Sequence, residues 1–461
     1  MNKKIIKVLQ ECEEMINEFN SFNKDFQKFK EENNGYKKVF TPFEEFEYDD
    51  DDLENDFKSL SLNSNKVSKI QDFNVPEFNT VQERDKWFRE KCEKIKIPEK
   101  YQRLWKQYSK IENIPQPEQR TQEWYDMRNN FITASAGAQA IGLCKYSKPD
   151  QLILDKIGYK QPFVENNNVF HGKKLETIAT LIYEQIFNVK VGEFGLIPDI
   201  SSDNNVDFLG ASPDGICTCL RLDGKFSKKV GRMLEIKCVT SRTIKTSLPE
   251  YDYIVPKHYW IQIQLQLHCC DLKECDFWQC KILDFFNDVN HLMNYVKKYP
   301  DHHFYDDGVE YEVRKNLLTG VFIQLAPKDH LLEELELKPG EKPEFFSKFI
   351  YPTDINKDMD EKMKWAENMK ENWESYYPDL VKDYKFDKFK YYYLSFSGCY
   401  LVKRDNNWYK KKLPEFRKFW DKVIELRNDE VKRENFVNLI NKKSNEERKK
   451  INSIDYIHSM Q

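Results

Sequence analysis

The sequence predicts an α/β fold in which a small mixed β-sheet is flanked by helices. The first observation is Phe170–Phe187, where apolar residues recur at helical spacing and indicate an amphipathic helix. The second is a pair of apolar runs, Phe208–Cys219 and Met233–Val239, whose basic, Gly-containing connection favours a β-hairpin with a long loop. The third is a helix over Pro256–Cys270 followed by a strand over Cys275–Leu283. Together they give the order helix, strands, helix, strand.

Shorter elements precede the hairpin. Thr121–Phe131 is typical of a short helix, and the turn after it opens a second helix of small residues at Ser135. Gln151–Gly158 continues as helix, and Val189–Ile200 is strand-like and leads into the hairpin.

The segment Pro256–Cys270 has two interpretations. Its alternation of Ile or Leu with Gln has the period of a strand. However, Pro256 is a typical helix-opening residue, and a helix would stack Gln262 and Gln266 one turn apart. We therefore predict a helix.

Composition divides the chain into four parts. Residues 1–60 carry 16 acidic and 9 basic side chains, whereas residues 381–461 carry 20 basic and 12 acidic ones, although the net charge of the whole chain is only −4. The predicted parts are an N-terminal helix and acidic linker (1–60, with the helix over 4–33 and the linker over 42–57), a helical lead-in (61–114), the α/β core (115–290), and a Lys- and aromatic-rich, mostly helical accessory region (291–461).

The accessory region contains one segment of special interest. Residues 386–412 interleave basic side chains with Tyr and Trp and fit a hairpin. Such a pattern can track a nucleic-acid strand. A solvated accessory domain with an aromatic core explains the pattern equally well.

The amino-acid usage indicates an intracellular protein that is not secreted. The N-terminus lacks the charged-then-apolar pattern of a signal, and no apolar stretch approaches the length of a membrane span. The eleven cysteines are therefore interpreted as reduced thiols. Their spacings fit no zinc pattern, so we expect structural thiols in the groups Cys217/Cys219 and Cys269/Cys270/Cys275/Cys280.

Three ionisable residues lie in or beside the predicted hairpin. In Met233–Val239 the apolar side chains alternate, so Glu235 and Lys237 share the opposite face of the strand. A carboxylate and an ammonium inside an apolar strand are costly unless something pairs with both. Asp214 lies in a Ser-Pro-Asp-Gly turn of the first run, and strand pairing would bring it toward Glu235. The sequence therefore predicts a site for a hard cation.

Two carboxylates and a lysine fit metal-dependent cleavage of a phosphodiester. That reaction needs an activated water, an in-line approach and neutralisation of charge on the phosphate oxygens. Mg²⁺ held by Asp214 and Glu235 supplies the first and the last, and Lys237 can orient or deprotonate the water. Glu176, on the preceding helix, can reach the metal through a water, and Gln262 can hold a water or a phosphate oxygen.

The residues around this set resemble a known family. The pattern Asp-x(20)-Glu-x-Lys is similar to the PD-(D/E)XK nuclease superfamily, which has a restriction-endonuclease-like core. Within it, the chain over about residues 115–290 resembles the lambda exonuclease family, also called the YqaJ-like viral recombinase family. The motifs that carry the resemblance, in order, are RTQEWYDMRNNFITAS, FHGKKLE, GASPDGI, LEIKC and HYWIQIQ.

The resemblance implies a role for each matching residue in the cleavage site. It implies that Asp214 and Glu235 bind the metal and that Lys237 assists catalysis. The helical glutamate of the family maps to Glu176, which joins the metal set, and its Y-x-x-Q glutamine maps to Gln262.

The resemblance also implies a pocket for a terminal 5′-phosphate, formed by Arg128, Thr133, Ser135 and Ser212. A guanidinium suits two phosphate oxygens at once. The start of the small-residue helix would add free N–H groups and a favourable dipole.

The implied function is a Mg²⁺-dependent DNA exonuclease, with Mn²⁺ as a substitute, that degrades duplex ends in the 5′ to 3′ direction during recombination, repair or replication. The implied partners are double-stranded DNA ends and a single-strand annealing protein, and a homo-oligomer is compatible with the sequence. The residue usage and the family suggest a large DNA virus, which would place the protein in the host cytoplasm, a viral factory or the virion.

Two other functions remain open on the sequence. This fold also supports structure-specific or nicking endonucleases, and a catalytically idle DNA-binding or packaging protein could keep it. One departure from the family is a longer connection between Asp214 and Glu235, with a basic insert near Lys225–Arg232 that could alter how DNA enters.

Each feature alone has an ordinary structural explanation. Asp-Gly is usually a turn, and Glu235 with Lys237 could be an exposed pair on an edge strand. His171 and His258 are interpreted as packing residues at helix starts rather than as metal ligands. Five motifs in one order favour the resemblance over coincidence.

Overall fold

A computed structural model describes residues 67–68, 76–117, 121–159, 164–201, 206–240, 242–245, 254–300, 302–335 and 337–443. The predicted helix over 4–33 and the acidic linker over 42–57 lie outside these residues. None of the helices in the described ranges is long and apolar enough to cross a membrane.

The described strands form two sheets. The strands are β1 (Val67–Ser68), β2 (Ile132–Thr133), β3 (Val191–Gly192), β4 (Ile197–Pro198), β5 (Leu209–Ala211), β6 (Gly215–Cys217), β7 (Met233–Cys238), β8 (Glu274–Phe286), β9 (His303–Asp306), β10 (Val309–Glu312), β11 (Thr319–Pro327), β12 (Lys348–Ile350) and β13 (Tyr384–Lys403). The larger sheet has ten strands in the order β1-β10-β9-β13-β8-β7-β6-β3, with β11 paired to β13 and β12 to β11, and the smaller has the order β2-β5-β4.

Helices lie on both faces of the larger sheet. They are α1 (Val81–Cys92), α2 (Gln102–Glu112), α3 (Gln122–Asn129), α4 (Gly137–Ala140), α5 (Pro149–Lys156), α6 (Asn167–Phe187), α7 (Lys257–Cys269), α8 (Val289–Lys298), α9 (Lys315–Leu318), α10 (Asp329–Leu335), α11 (Met359–Tyr376), α12 (Pro378–Val381), α13 (Asn406–Asn428) and α14 (430–443). The predicted fold class, a mixed sheet flanked by helices, is confirmed.

The centre of the fold is the hairpin β6–β7 followed by α7 and β8. Gly215 pairs with Leu234 in the antiparallel hairpin, and β7 then runs parallel to β8, with Glu235 opposite Phe277. Two parallel neighbours need a crossover, and α7 provides it. The helical interpretation of Pro256–Cys270 is therefore confirmed.

The two faces of β7 bury different partners. Leu234 and Ile236 pack with the apolar stripe of α6, which includes Leu175, Ile178 and Ile182. The opposite face, which carries Glu235 and Lys237, is covered by α7. The alternation predicted for this strand is thus realised in the packing.

Two of the predicted strands are divided by the fold. Val189–Ile200 forms β3, which pairs with β6, and β4, which pairs with β5 in the smaller sheet. Phe208–Cys219 likewise forms β5 and β6 in different sheets, because the chain turns at Pro213, which cannot donate to a strand ladder.

The C-terminal part contributes strands as well as helices. β13 pairs with β8 along most of its length and with β11 on its other side. Residues 386–412 therefore do not form the expected hairpin. They form nearly all of β13 and the start of α13, which begins where Asp405 accepts a hydrogen bond from the Trp408 N–H (2.9 Å).

Candidate active site

Glu235 is the fully buried centre of the site. Gln262 of α7 donates from Nε2 to Glu235 Oε1 (2.7 Å), and Gln266, one turn later, donates to Oε2 (2.8 Å). Lys237, two residues along β7, forms an ion pair with Oε1 of the same carboxylate. Both oxygens of Glu235 are therefore held in place.

Asp214 lies directly before β6 and faces the middle of β7. Its Oδ2 accepts a hydrogen bond from the Ile236 N–H (2.6 Å). Burial and the neighbouring Glu235 carboxylate raise the pKa of Asp214 well above its usual value. The following Gly215 is required by a close approach, because a Cβ atom there would overlap Val191 of β3. The Asp-Gly pair is therefore more than a turn.

Lys237 is held as a cation. Burial alone would lower the pKa of Lys237, but the carboxylates of Glu235 and Asp214 outweigh burial and raise it. Its Nζ lies 4.9 Å from the centre of the Tyr259 ring, which adds a cation–π contact. The ammonium is thus oriented by Glu235 on one side and Tyr259 on the other.

Glu176 is on α6, at the edge of this group. It is partly exposed, and its charge contributes to the raised pKa of Asp214. The structure thus places Glu176 in the electrostatic neighbourhood of Asp214. Its predicted part in holding a metal remains a prediction.

The donor set suits Mg²⁺ better than Zn²⁺. Within the described ranges, no three His, Cys, Asp or Glu side chains lie together in a group that could hold a metal ion. Mg²⁺ is usually held by one or two carboxylates and completes its shell with water and substrate phosphate. Asp214 and Glu235 provide such a pair of hard oxygen donors, so the residues present fit this ion.

The four residues predicted to bind a terminal phosphate lie in one cluster. Arg128 Nη2 is 3.5 Å from Thr133 Oγ1, which is 3.3 Å from Ser135 Oγ. Trp124 connects the fourth residue, because its Nε1 lies 3.4 Å from Ser212 Oγ and its ring lies 4.3 Å from the guanidinium carbon of Arg128. We call these five residues the end cluster.

Arg128 has the environment of an anion-binding group. In the described part of the chain no carboxylate pairs with it, and burial lowers the pKa of its guanidinium. The contacts to Thr133 and Ser135 are at the outer limit of hydrogen-bond length. Ser212 lies two residues before Asp214, so an anion bound in the end cluster would lie beside the carboxylates.

The expected helix after Ser135 is much shorter than the sequence suggests. Ala134–Ala136 forms a 3₁₀ turn and α4 has only four residues, after which Gly142 adopts a left-handed φ of 68° and ends the helix. A single turn has no appreciable macrodipole. The expectation that a helix N-terminus contributes to phosphate binding here is therefore wrong. The end cluster relies on side chains.

Two bases of the insert near Lys225–Arg232 are bound on the face of the sheet opposite Glu235. Lys229 Nζ and Arg232 Nη1 pair with Asp276 of β8 (2.7 and 2.6 Å). Asp276 lies opposite Leu234 in the strand register, so it faces away from Glu235. Lys225 and Lys228 are the exposed bases of the insert.

Sequence reasoning placed most of these residues but missed the roles of two. Gln266 was identified as a neighbour of Gln262 on the helix, and only the three-dimensional structure shows its bond to Glu235. Trp124 has the spacing of a core residue, and nothing local indicates that its N–H reaches Ser212. The i, i+4 spacing of Gln262 and Gln266 was the one available signal.

The six cysteines of the two predicted groups and His258 occupy packing positions, whereas His171 Nδ1 lies 3.8 Å from Asp284 Oδ1. Cys217, Cys219, Cys269, Cys270, Cys275 and Cys280 are buried and free. Burial raises the pKa of Cys217 to about 12, so this thiol stays neutral. The His258 ring packs at a tilt of 46° against Tyr259, with ring centres 4.1 Å apart.

Comparison with known proteins identifies a family segment in the chain. Residues 123–273 match the YqaJ-like viral recombinase domain. This segment contains the end cluster, Glu176, Asp214, Glu235, Lys237 and both glutamines. The resemblance predicted from the five motifs is confirmed here.

The similar proteins differ in how much of this chain they cover. An uncharacterized protein of Acanthamoeba polyphaga mimivirus is 35% identical over 338 residues, which is 72% of this chain and 57% of that protein. This chain thus spans just over half the length of that relative. An alkaline exonuclease of Laribacter hongkongensis, alone and in complex with dAMP, is 27% identical over 35% of this chain and 74% of its own, with a TM-score of 0.27.

Proposed function

Because residues 123–273 form a YqaJ-like viral recombinase domain, we propose that this protein is a metal-dependent deoxyribonuclease that degrades double-stranded DNA from its ends, in the 5′ to 3′ direction. The observation that carries the proposal is the convergence of Asp214, Glu235 and Lys237 beside the end cluster. A carboxylate pair next to a guanidinium that has no carboxylate partner in the described part of the chain can hold a DNA end at one point and cut at another.

Each residue of the site has a definite task in this proposal. Asp214 and Glu235 hold Mg²⁺, for which Mn²⁺ can substitute, and Gln262 and Gln266 keep Glu235 in position. Lys237 presents its ammonium to the attacking water and to the phosphate oxygens. When bound, the ion neutralises the charge that grows on the phosphate and makes water a better nucleophile.

In this proposal the end cluster binds the terminal phosphate of the DNA substrate. Arg128 offers two N–H groups to a terminal phosphate, and the hydroxyls of Thr133, Ser135 and Ser212 complete the cradle. A terminal 5′-phosphate held there would fix which strand lies at the carboxylates. The direction of degradation along the DNA would then follow from the way its end is bound.

The biological setting follows from the family and the viral relative. We propose that the protein acts on DNA ends during recombination, repair or replication of a large DNA virus, in the host cytoplasm, a viral factory or the virion. A single-strand annealing protein is the partner that such an enzyme would supply with single strands. Self-association is a further part of this proposal.

The decisive experiment compares linear and circular duplex DNA with Mg²⁺ and with chelator. We expect metal-dependent loss of linear DNA only, and a loss of about two orders of magnitude or more in Asp214→Asn and Glu235→Gln. Cutting of the circle would indicate an endonuclease. A wild type that binds both substrates but cuts neither would indicate the idle protein.

The end cluster has its own test. Linear duplexes with 5′-phosphate ends should be degraded faster than those with 5′-hydroxyl ends, because only the former engage Arg128. Arg128→Ala should remove most of the difference while leaving the hydroxyl rate nearly unchanged. Equal wild-type rates on both substrates would remove the phosphate pocket from the proposal.

A further inference from the structure

We infer that helix α13 fixes the relative positions of the segments that carry the end cluster, with Arg427 and Arg417 as positioning residues. This inference rests on the proposed function, since it assigns a role in end recognition. It concerns a helix that lies outside residues 123–273, the segment that matches the family.

Arg427 is bound to the carbonyl end of α3, the helix that carries Trp124 and Arg128. Its Nη2 donates to the Asn129 carbonyl oxygen (2.6 Å). Its Nε and Nη2 also donate to the Lys156 carbonyl oxygen at the end of α5 (3.0 and 2.8 Å). One guanidinium therefore joins the last turns of two helices.

Lys156 adds a second cation at the same place. Its Nζ donates to the carbonyl oxygen of Arg128 itself (2.5 Å). The last carbonyls of a helix have no partner within the helix and carry the negative end of its dipole. Arg427 and Lys156 satisfy these groups, so the final turn of α3, with Arg128 in it, is fixed against the rest of the fold.

Arg417 contacts the segment that leads to Ser212, the residue of the end cluster next to the carboxylates. Its guanidinium carbon is 4.2 Å from the centre of the Phe208 ring, and its Nη1 is 3.8 Å from Asp207 Oδ1. Phe208 leads into β5, and Ser212 follows that strand directly. The Phe208 carbonyl oxygen also accepts from the Ile132 N–H (2.7 Å), next to Thr133.

Between these two contacts, one side of α13 is buried in the hydrophobic core. Ten residues of helix span about 15 Å, so the two arginines contact different segments, the end of α3 and the start of β5, that carry the two halves of the end cluster. The apolar side of α13 is buried in the same core as α4 and α5, through Phe416, Phe419, Trp420, Val423 and Leu426. A shift of α13 would therefore move Arg128 relative to Ser212, and a misplacement of about 1 Å can cost about 100-fold in rate.

The test uses the full chain and three variants. Arg427→Gln removes the guanidinium, and Arg427→Lys keeps the charge but cannot bridge both carbonyls. Lys422→Gln is the matched control, because Lys422 lies on the same helix and pairs with Glu425 within it. We would measure kcat/KM on duplexes with 5′-phosphate and 5′-hydroxyl ends, and fluorescence anisotropy of both duplexes in chelator.

Arg427→Gln should reduce the preference for phosphate ends about tenfold in both measurements, with the hydroxyl duplex changed less than about twofold. Arg427→Lys should lie between this variant and the wild type, and the control should match the wild type. Thermal unfolding verifies that each variant is folded. If Arg427→Gln does not fold, Arg427→Lys decides the matter, since an undiminished preference in that variant contradicts the inference.

The outcomes separate this inference from the proposed function. A wild type without any preference for phosphate ends removes the pocket, and the inference with it. A wild type with the preference and a folded Arg427→Gln variant that retains it fully would leave the proposed function standing and overturn the role of α13. A loss that is equal on both duplexes would indicate a merely structural role and would also overturn it.

Discussion

At the scale of single residues, the site depends on how completely Glu235 is held. This carboxylate is buried with no exposed surface, and three side chains contact its two oxygens. Gln266 is the sole hydrogen-bond donor to Oε2 among the described residues. Its own Oε1 is buried and has no hydrogen-bond partner within the described ranges, and its Nε2 also lies 3.4 Å from the Ser212 carbonyl oxygen.

We predict that Gln266→Leu lowers kcat/KM by about 10- to 100-fold and shifts the Mg²⁺ dependence to higher concentration, because loss of a partner that orients a metal ligand has effects of this size. The measurement is cleavage of a linear duplex against Mg²⁺ concentration. Gln264→Leu is the control on the same helix. Gln264 bonds to the Lys403 carbonyl and the Asp405 N–H, so its loss should reduce stability but not the metal midpoint. An unchanged midpoint in Gln266→Leu would contradict the assignment.

At the scale of elements, the connection between β6 and β7 shows how a basic insert can serve the fold. Lys229 and Arg232 are drawn to Asp276, which is nearly fully buried and also accepts from the Tyr183 hydroxyl (2.6 Å). Burial alone would raise the pKa of Asp276, but the two cations and this hydrogen bond lower it well below its usual value. The insert is thereby attached to the face of the sheet opposite Glu235.

We predict that Asp276→Asn lowers the free energy of unfolding by about 3 kcal/mol near neutral pH, because it removes the carboxylate that pairs with Lys229 and one of the two carboxylates that pair with Arg232, in a largely buried place. A carboxyl whose folded pKa is lowered stabilises the fold above its unfolded value of about 4 and loses that contribution as pH falls toward the folded value. The difference between wild type and variant should therefore shrink below about pH 4.

Chemical denaturation at a series of pH values measures both effects. Glu274→Gln is the control, since Glu274 pairs with the same Arg232 but its side chain is 36% exposed. A partly exposed pair of this kind should contribute less than about 1 kcal/mol. Equal losses in the two variants would show that burial of Asp276 is not what matters.

At the scale of the whole molecule, the C-terminal part is an integral part of the fold. Its longest strand, β13, lies between β8 and β11 in the sheet, and α13 shares the core of the family segment. Removal of residues from about 300 onward would therefore take away β13, one of the two strands that pair with β8. The role of the basic C-terminal part in DNA binding must be tested by changes in charge.

We predict that replacing Lys410, Lys411 and Lys418 by Gln weakens DNA binding and reduces the slope of log affinity against log salt by about 1 to 3, because each lysine that neutralises a phosphate adds about 0.9 to that slope. These three side chains are exposed on α13. Binding to a linear duplex over a range of salt concentrations, with chelator present, measures the slope. An unchanged slope in the folded triple variant would assign this surface to another partner.

The sequence by itself determined the local part of this protein. The periods of α6, β7 and α7, the pair Glu235 and Lys237 on one strand face, and Asp214 at the turn are all properties of neighbouring residues, so a pattern could reveal them. The five motifs then indicated four of the five residues of the end cluster, all except Trp124. The structure brings all of them together in two adjacent groups.

Only the tertiary structure decided how distant segments complete those groups. Arg427 lies 298 residues from Asn129, to which it donates. In the sequence, Lys229 and Arg232 could equally belong to a DNA-binding insert. Only the strand register shows that their partner Asp276 faces away from Glu235. The length of β13 and the short α4 likewise follow from neighbours in space. Contacts of this kind leave no periodic trace in the sequence, because their free energy depends on packing between segments that the chain brings together only on folding.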